Sequence, residues 1–136
     1  MSDSTGNSGA VGKTVLVVDD TEHVAELLRE MLASFGHAPE VCLSPHEALE
    51  KFSPGKFNLV ITDYTMPRMN GIEFAKEIRS RAPEQAILLI TGSSGAHGTD
   101  GMPESAPYNA ALEKPFSITE FQQMVERLLS MPHGVV

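Results

Sequence analysis

At 136 residues the chain has room for one domain of the usual ~100–200 residues, and with 41% apolar and 21% charged residues it can bury a core. Its 18 acidic residues against 10 basic ones give a net charge of −8. This argues against direct nucleic-acid binding, which draws on Lys and Arg neutralising phosphates, and against an acidic membrane surface. A single cysteine, Cys42, excludes an internal disulfide or a cysteine-built zinc site, no apolar run approaches the ~18 residues of a membrane span, and MSDSTGNSGA lacks the pattern of a signal peptide.

The expectation is a small, soluble, cytoplasmic domain over 13–131, with a flexible tail over 1–12 and a short C-terminal tail over 132–136. Thr14–Val18 (TVLVV) is β-branched and wholly apolar, as a strand buried on both faces should be. Val24, Leu27, Leu28, Met31, Leu32 and Phe35 then recur on one face of a helix, with Gly36 as its C-terminal cap. Pro39–Leu43 is a weaker strand. Ser44-Pro45-His46-Glu47 is a capping box with proline at the first helical position, opening a helix to about Phe52.

Phe57–Thr62 (FNLVIT) is a strand reaching Asp63. Ile72, Ala75 and Ile78 mark a helix that stops before Pro83. Ala86–Ile90 (AILLI) is a strand reaching Thr91, and Ala110–Glu113 a short one reaching Lys114. Ser117-Ile118-Thr119-Glu120 is a second capping box, whose helix carries Ile118, Phe121, Val125, Leu128 and Leu129 on one face. Five strands alternating with helices predict a doubly wound α/β domain with a parallel sheet covered on both faces.

Residues 91–109 interrupt this rhythm. Gly92, Gly95, Gly98 and Gly101 fall at every third position, followed by Pro103 and Pro107. Each interior glycine weakens a helix by ~1 kcal/mol and a proline by ~3. Any helix here is short or poorly formed, around Glu104–Asn109, and the rest reads as a mobile loop.

The chemistry gathers at the strand ends. Asp19 and Asp20, Asp63, Thr91 and Lys114 each follow an apolar strand, and open parallel sheets bind ligands beyond the carboxyl ends of their strands. Three carboxylates and one lysine sum to −3 + 1 = −2. Neighbouring like charges ~4 Å apart repel by ~1 kcal/mol in water and ~4 at an effective dielectric of 20. A hard cation with oxygen ligands, Mg²⁺ above all, relieves that repulsion. A phosphoryl group of about −2 added to Asp63 would take the cluster to about −3 without metal and about −1 with it. Carboxylates serve as nucleophiles in acyl-phosphate chemistry, and phosphoryl transfer rests mostly on positioning and charge stabilisation.

VLVVDD at 15–20, LVITDYTMPRMNG at 59–71, LLITG at 88–92 and EKPF at 113–116 together resemble the CheY-like receiver domain of two-component response regulators, over about residues 14–130. The resemblance implies a flavodoxin-like sheet of order 2-1-3-4-5. It implies a phosphoryl group taken from a histidine kinase or histidine phosphotransfer protein, with output through contacts to a downstream protein. Asp63 would be the phosphoacceptor. Asp20, Asp63 and the Thr65 carbonyl would ligate Mg²⁺, or Mn²⁺ as a substitute, with Asp19 acting mostly through water. Thr91 would hydrogen-bond the phosphoryl group and Lys114 would pair with it, before a cis Lys114–Pro115 peptide. Met66-Pro67 and Gly71 would shape the loop after the acceptor. At most, slow self-catalysed phosphotransfer and autodephosphorylation would follow, so the chain reads as a signalling module rather than an enzyme.

Two features depart from the family pattern. Many receivers carry an aromatic three residues before the lysine, where this chain has Ala111, and Tyr108 does not match that position. The 92–109 segment is accordingly expected to order on phosphorylation or partner binding. Thr65 and Ser93, two residues past Asp63 and Thr91, are small and non-acidic, which leaves the phosphoryl lifetime open. No output domain is expected after the last helix.

Other classes compete less well. A Mg²⁺-dependent phosphohydrolase with an aspartyl-phosphate intermediate commonly has a second acid two residues past the nucleophile, where Thr65 stands, and needs a cap domain. A flavin-binding domain would need a phosphate-cradling loop where Asp19 and Asp20 repel phosphate. GNSGAVGKT at 6–14 nearly spells a P-loop but precedes a strand instead of following one. The five histidines show no metal-ligand spacing and read as surface residues, and Cys42 reads as a packing residue or a partly exposed bystander.

Overall fold

The strands follow from short apolar runs and the helices from amphipathic ones, in the order β1 Thr14–Val18, α1 Glu22–Ser34, β2 Ala38–Cys42, α2 Pro45–Lys51, β3 Leu59–Asp63, α3 Gly71–Arg81, β4 Ile87–Thr91, β5 Ala110–Glu113 and α4 Ile118–Ser130. The computed structural model describes residues 12–92 and 106–131. All strands pair in parallel, in the order β2-β1-β3-β4-β5, as the resemblance implies. Val17 of β1 stands opposite Val41 on one side and Ile61 on the other. The chain moves from β1 outward to β2 and then crosses back to β3, so the order reverses between β1 and β3. Loops diverge there and leave a crevice beyond the strand ends.

The two-residue period of the strands divides the core. Val15 and Val17, Leu59 and Ile61, and Leu88 and Ile90 face α1 and α4, meeting Leu28, Leu32, Phe121, Val125 and Leu128. Leu16 and Val18, Val60, and Ile87 and Leu89 face α2 and α3, meeting Ala48, Phe74, Ala75 and Ile78. Apolar residues at consecutive positions are thus buried on both faces. Pro39 is tolerated because β2 is an edge strand, pairing only with β1.

Backbone chemistry sets the helix ends. Gly36, with φ of 95°, follows the C-cap Phe35 and donates to the Ala33 carbonyl, while His37 N–H donates to Leu32. This pair of bonds closes the helix in a Schellman motif. Ser117 forms the expected reciprocal box with Glu120. At α2 only half of the expected box forms. Ser44 accepts from the Glu47 N–H, but the Glu47 carboxylate reaches past Ser44 to the Leu43 N–H. A box at α3, between Asn70 and Glu73, was not among the expected ones.

Some expectations are corrected. Leu27 and Ile118 are 53% and 59% exposed, because each lies on the flank of an apolar stripe wider than the face its helix packs against the sheet. His37 is buried, with its Nε2 2.9 Å from Glu126 Oε2 of α4 and its Nδ1 without a partner. The Schellman turn folds it inward, so the surface reading of the histidines fails there; His23 and His46 are exposed. Cys42 is fully buried, as a packing residue. Gly95, Gly98 and Gly101 of the glycine-rich stretch, most of the expected 92–109 switch segment and Ser93 fall in 93–105, outside the described residues. Of the short helix expected around Glu104–Asn109, residues 106–109 are described and are not helical.

Candidate functional site

Two strand ends bring three acids together at the reversal point. Asp19 follows β1 and is buried, Asp20 beside it is exposed, and Asp63 closes β3 with 8% exposure. One carboxylate oxygen from each of the three lies within 4.8 Å of the others. Asp19 is held by the Thr21 N–H, which donates to its Oδ1 at 2.9 Å, and by its own N–H on the Cys42 carbonyl. Burial pushes the Asp19 carboxyl above its ordinary range. The Thr21 hydrogen bond opposes this, the Asp63 charge adds to it, Lys114 opposes and Asp20 adds. Ionised carboxylates crowded into a half-dry crevice favour any cation that can enter it.

Lys114, the residue after β5, supplies one such charge. Its Nζ lies 3.2 Å from Asp63 Oδ1, and its N–H donates to the Thr91 carbonyl at 2.8 Å. Thr91, the last residue of β4, is one position beyond Ile90, the residue opposite Asp63. It is buried. Asp19, Asp20, Asp63 and Lys114 are therefore brought into contact range, with Thr91 at the adjacent strand end. Thr65 lies two residues past Asp63 at the exposed start of the next loop. The Lys114–Pro115 peptide is cis.

The loop from Asp63 to α3 is fixed by close packing. A Cβ on Gly71 would sit 2.4 Å from the Asp63 carbonyl oxygen and 2.9 Å from Tyr64 Cα, so only glycine lets the start of α3 come this near the acidic strand end. The Gly71 N–H donates to the Tyr64 carbonyl, and the Tyr64 N–H to Ile90 of β4. One residue here escaped the sequence reading. Arg68 has φ of 73°, and nothing in its residue type signals a left-handed conformation.

Comparison with known proteins agrees with this geometry. The family model described as the response regulator receiver domain matches residues 15–126. Response regulator MprA of Mycolicibacterium vanbaalenii is 32% identical over 116 residues, covering 85% of this chain and 49% of that protein. The chain thus spans about half the length of the curated relatives it matches. Among solved structures, the response regulator TrrA of Thermotoga maritima in complex with Mg²⁺–BeF superimposes with a TM-score of 0.77 at 35% identity, covering 85% of this chain and 98% of that one. TrrA in its complex with the histidine kinase ThkA gives 0.74 at 35% identity, covering 87% and 99%. None of these relatives supports the phosphohydrolase alternative. A flavodoxin-like sheet of this strand order, an acidic cluster at its reversal point and a family match over most of the length lead to one conclusion: the chain belongs to the response regulator receiver domain family of two-component signal transduction.

Proposed function

We propose that residues 13–131 act as a phosphoacceptor module in the cytoplasm, with Asp63 taking a phosphoryl group from the phosphohistidine of a histidine kinase or histidine phosphotransfer protein. The observation that carries this reading is the Lys114 ammonium 3.2 Å from an Asp63 oxygen within a cluster of three carboxylates. An Asp63 carboxylate oxygen forms the new bond to phosphorus as the phosphorus–nitrogen bond to imidazole breaks. The imidazole nitrogen keeps that electron pair. Asp63 loses its own charge and carries a group of about −2, which Lys114 then pairs with. The Thr91 hydroxyl donates a hydrogen bond to a phosphoryl oxygen.

Asp19, Asp20 and Asp63, with the Thr65 carbonyl, fit a hard divalent cation: all offer oxygen, and the carboxylates converge without a soft donor among them. When bound there, Mg²⁺, or Mn²⁺ in its place, would supply the positive charge that lets a phosphoryl anion approach three acids. The TrrA complex with Mg²⁺–BeF is a relative in which a metal and a phosphoryl-like group occur together, and the ThkA–TrrA complex is one in which a histidine kinase is the partner. Among the described residues no helix is long and apolar enough to cross a membrane. Phosphorylation would be read out by contact with a downstream protein, without direct nucleic-acid binding, and any autodephosphorylation would be slow.

The test is intact-mass analysis after incubation with Mg²⁺ and a small phosphodonor. One added phosphoryl group is expected in the parent and none in Asp63→Asn or with EDTA present. Labelling of Asp63→Asn, or labelling of the parent that ignores EDTA, would overturn the assignment.

A further inference from the structure

Between Asp63 and α3 the chain runs Tyr64-Thr65-Met66-Pro67-Arg68-Met69-Asn70, and the Gly71–Tyr64 hydrogen bond closes it into a loop. Met66 is buried and Met69 half-buried on the side of the core that meets α2 and α3. Arg68 stands exposed between them. Its φ of 73° makes it the one non-glycine in the left-handed region among the described residues, a conformation that side chains larger than Asn or Asp seldom enter. The Met69 N–H bonds the Pro67 carbonyl at 2.8 Å, so a γ-turn closes around Arg68 with the sign of φ that is rare and strained. Glycine would hold this turn without steric penalty. Strain of this kind at the rim of a site points toward what the side chain does there.

Charge says what that is. In the loops beyond the carboxyl ends of the strands (19–21, 43–44, 64–70, 92 and 114–117), the basic residues are Lys114 and Arg68. Lys114 is engaged by Asp63. Arg29 pairs with Glu26, Arg79 binds the Gln85 carbonyl and Asn109, and Arg81 binds Glu77 and the Leu49 carbonyl. The Arg68 guanidinium has no ion-pair or hydrogen-bond partner among the described residues. It is an uncommitted cation five residues past Asp63, in the loop that leaves a cluster summing to −3 + 1 = −2.

We propose that Arg68 is a donor-capture residue that draws the anionic phosphoryl group of the donor to Asp63. The inference rests on the reading of Asp63 as acceptor. A guanidinium is always charged, weakly hydrated and shaped to bind phosphate oxygens in pairs. Standing exposed, it acts on capture of the donor more than on bond-making, and salt screens it. With acetyl phosphate as donor, an Asp63 oxygen bonds phosphorus as the acyl oxygen–phosphorus bond breaks. Acetate leaves with the electron pair, and no proton or further reactant is needed.

The experiment measures phosphorylation of the parent, Arg68→Asn, Arg68→Gly and Arg68→Lys with Mg²⁺. Acetyl phosphate and monophosphoimidazole serve as donors, at low ionic strength and in about 0.5 M KCl, where screening is severe. At low salt, Arg68→Asn and Arg68→Gly should lower the second-order rate constant roughly three- to tenfold, equally for both donors, with saturating rates within about twofold. Arg68→Lys should keep most of the parent's rate, and the gap should close in KCl. Arg68→Gly should melt no lower than the parent, which separates lost capture from lost folding. Parent-like rates for Arg68→Asn at low salt, a loss that persists in KCl, or a loss confined to one donor would each overturn the role of Arg68 alone. Equal labelling of Asp63→Asn would instead remove the acceptor reading, and this inference with it.

Discussion

Cys42 shows how one side chain's surroundings set its chemistry. It closes the edge strand β2 and is fully buried. Burial pushes its thiol up to about 11, with Glu47 and Glu40 adding to the shift and Lys51 opposing it. The thiolate, not the thiol, reacts with alkylating agents. Native protein at pH 8 should therefore react with iodoacetamide far more slowly than protein unfolded in urea, where the thiol returns to ~8.5. Because the folded value lies above the unfolded one, folding favours the neutral thiol. Its contribution to stability is complete below pH ~8.5 and is lost as pH rises toward about 11. Urea midpoints should fall across that window by more in the parent than in Cys42→Ala. Equal slopes for the two proteins would show that burial does not hold the Cys42 thiol neutral.

Helix termini offer a graded comparison at the next scale. The box at α4 satisfies two backbone donors, Glu120 N–H on Ser117 Oγ at 3.0 Å and Ser117 N–H on Glu120 Oε1 at 2.9 Å. At α2 the serine makes its half, and Glu47 spends its carboxylate on Leu43. Ser117→Ala should destabilise by about 1 kcal/mol, or roughly 3–5 °C of thermal midpoint for a domain of this size, read by thermal denaturation. The helix it opens packs Phe121, Val125 and Leu128 on the sheet. Fraying there would loosen the same segment that receives the His37–Glu126 contact. No change in midpoint would mean that packing alone fixes the start of α4.

Charge distribution governs the molecule as a whole. A net −8 with three acids drawn together at one end of the sheet leaves the protein under internal repulsion without a cation. Mg²⁺ should raise the midpoint in a concentration-dependent way, the unfolding free energy gaining ~2.7 kcal/mol once the ion reaches about a hundred times its dissociation constant. Asp20→Asn should lose most of that increment and, in EDTA, be at least as stable as the parent. A midpoint indifferent to Mg²⁺ in the parent would argue that the carboxylates do not hold the ion.

Much of this was legible in the chain itself, because helices and strands advertise contacts between residues two, three or four positions apart. TVLVV is β1, FNLVIT and AILLI overlap β3 and β4 while starting two residues and one residue early, and the box at Ser117 opens α4 where its residues require it. Placement of Asp63, Thr91 and Lys114 at strand ends was likewise visible, since a polar residue closing an apolar run is a local signal. Only the tertiary structure decided the rest. Asp19 and Asp63 are brought within one cation's reach because the sheet reverses between β1 and β3, and no periodicity encodes a distance across a crossover. His37 is buried because the turn at Gly36 folds it toward α4, whereas Leu27 and Ile118 are left outside because a helix rests on a sheet along a narrower strip than its apolar stripe. The left-handed turn at Arg68 is of the same kind. It follows from closing a loop between Tyr64 and Gly71 over two inward-facing methionines, a constraint set by where the ends of β3 and α3 must meet.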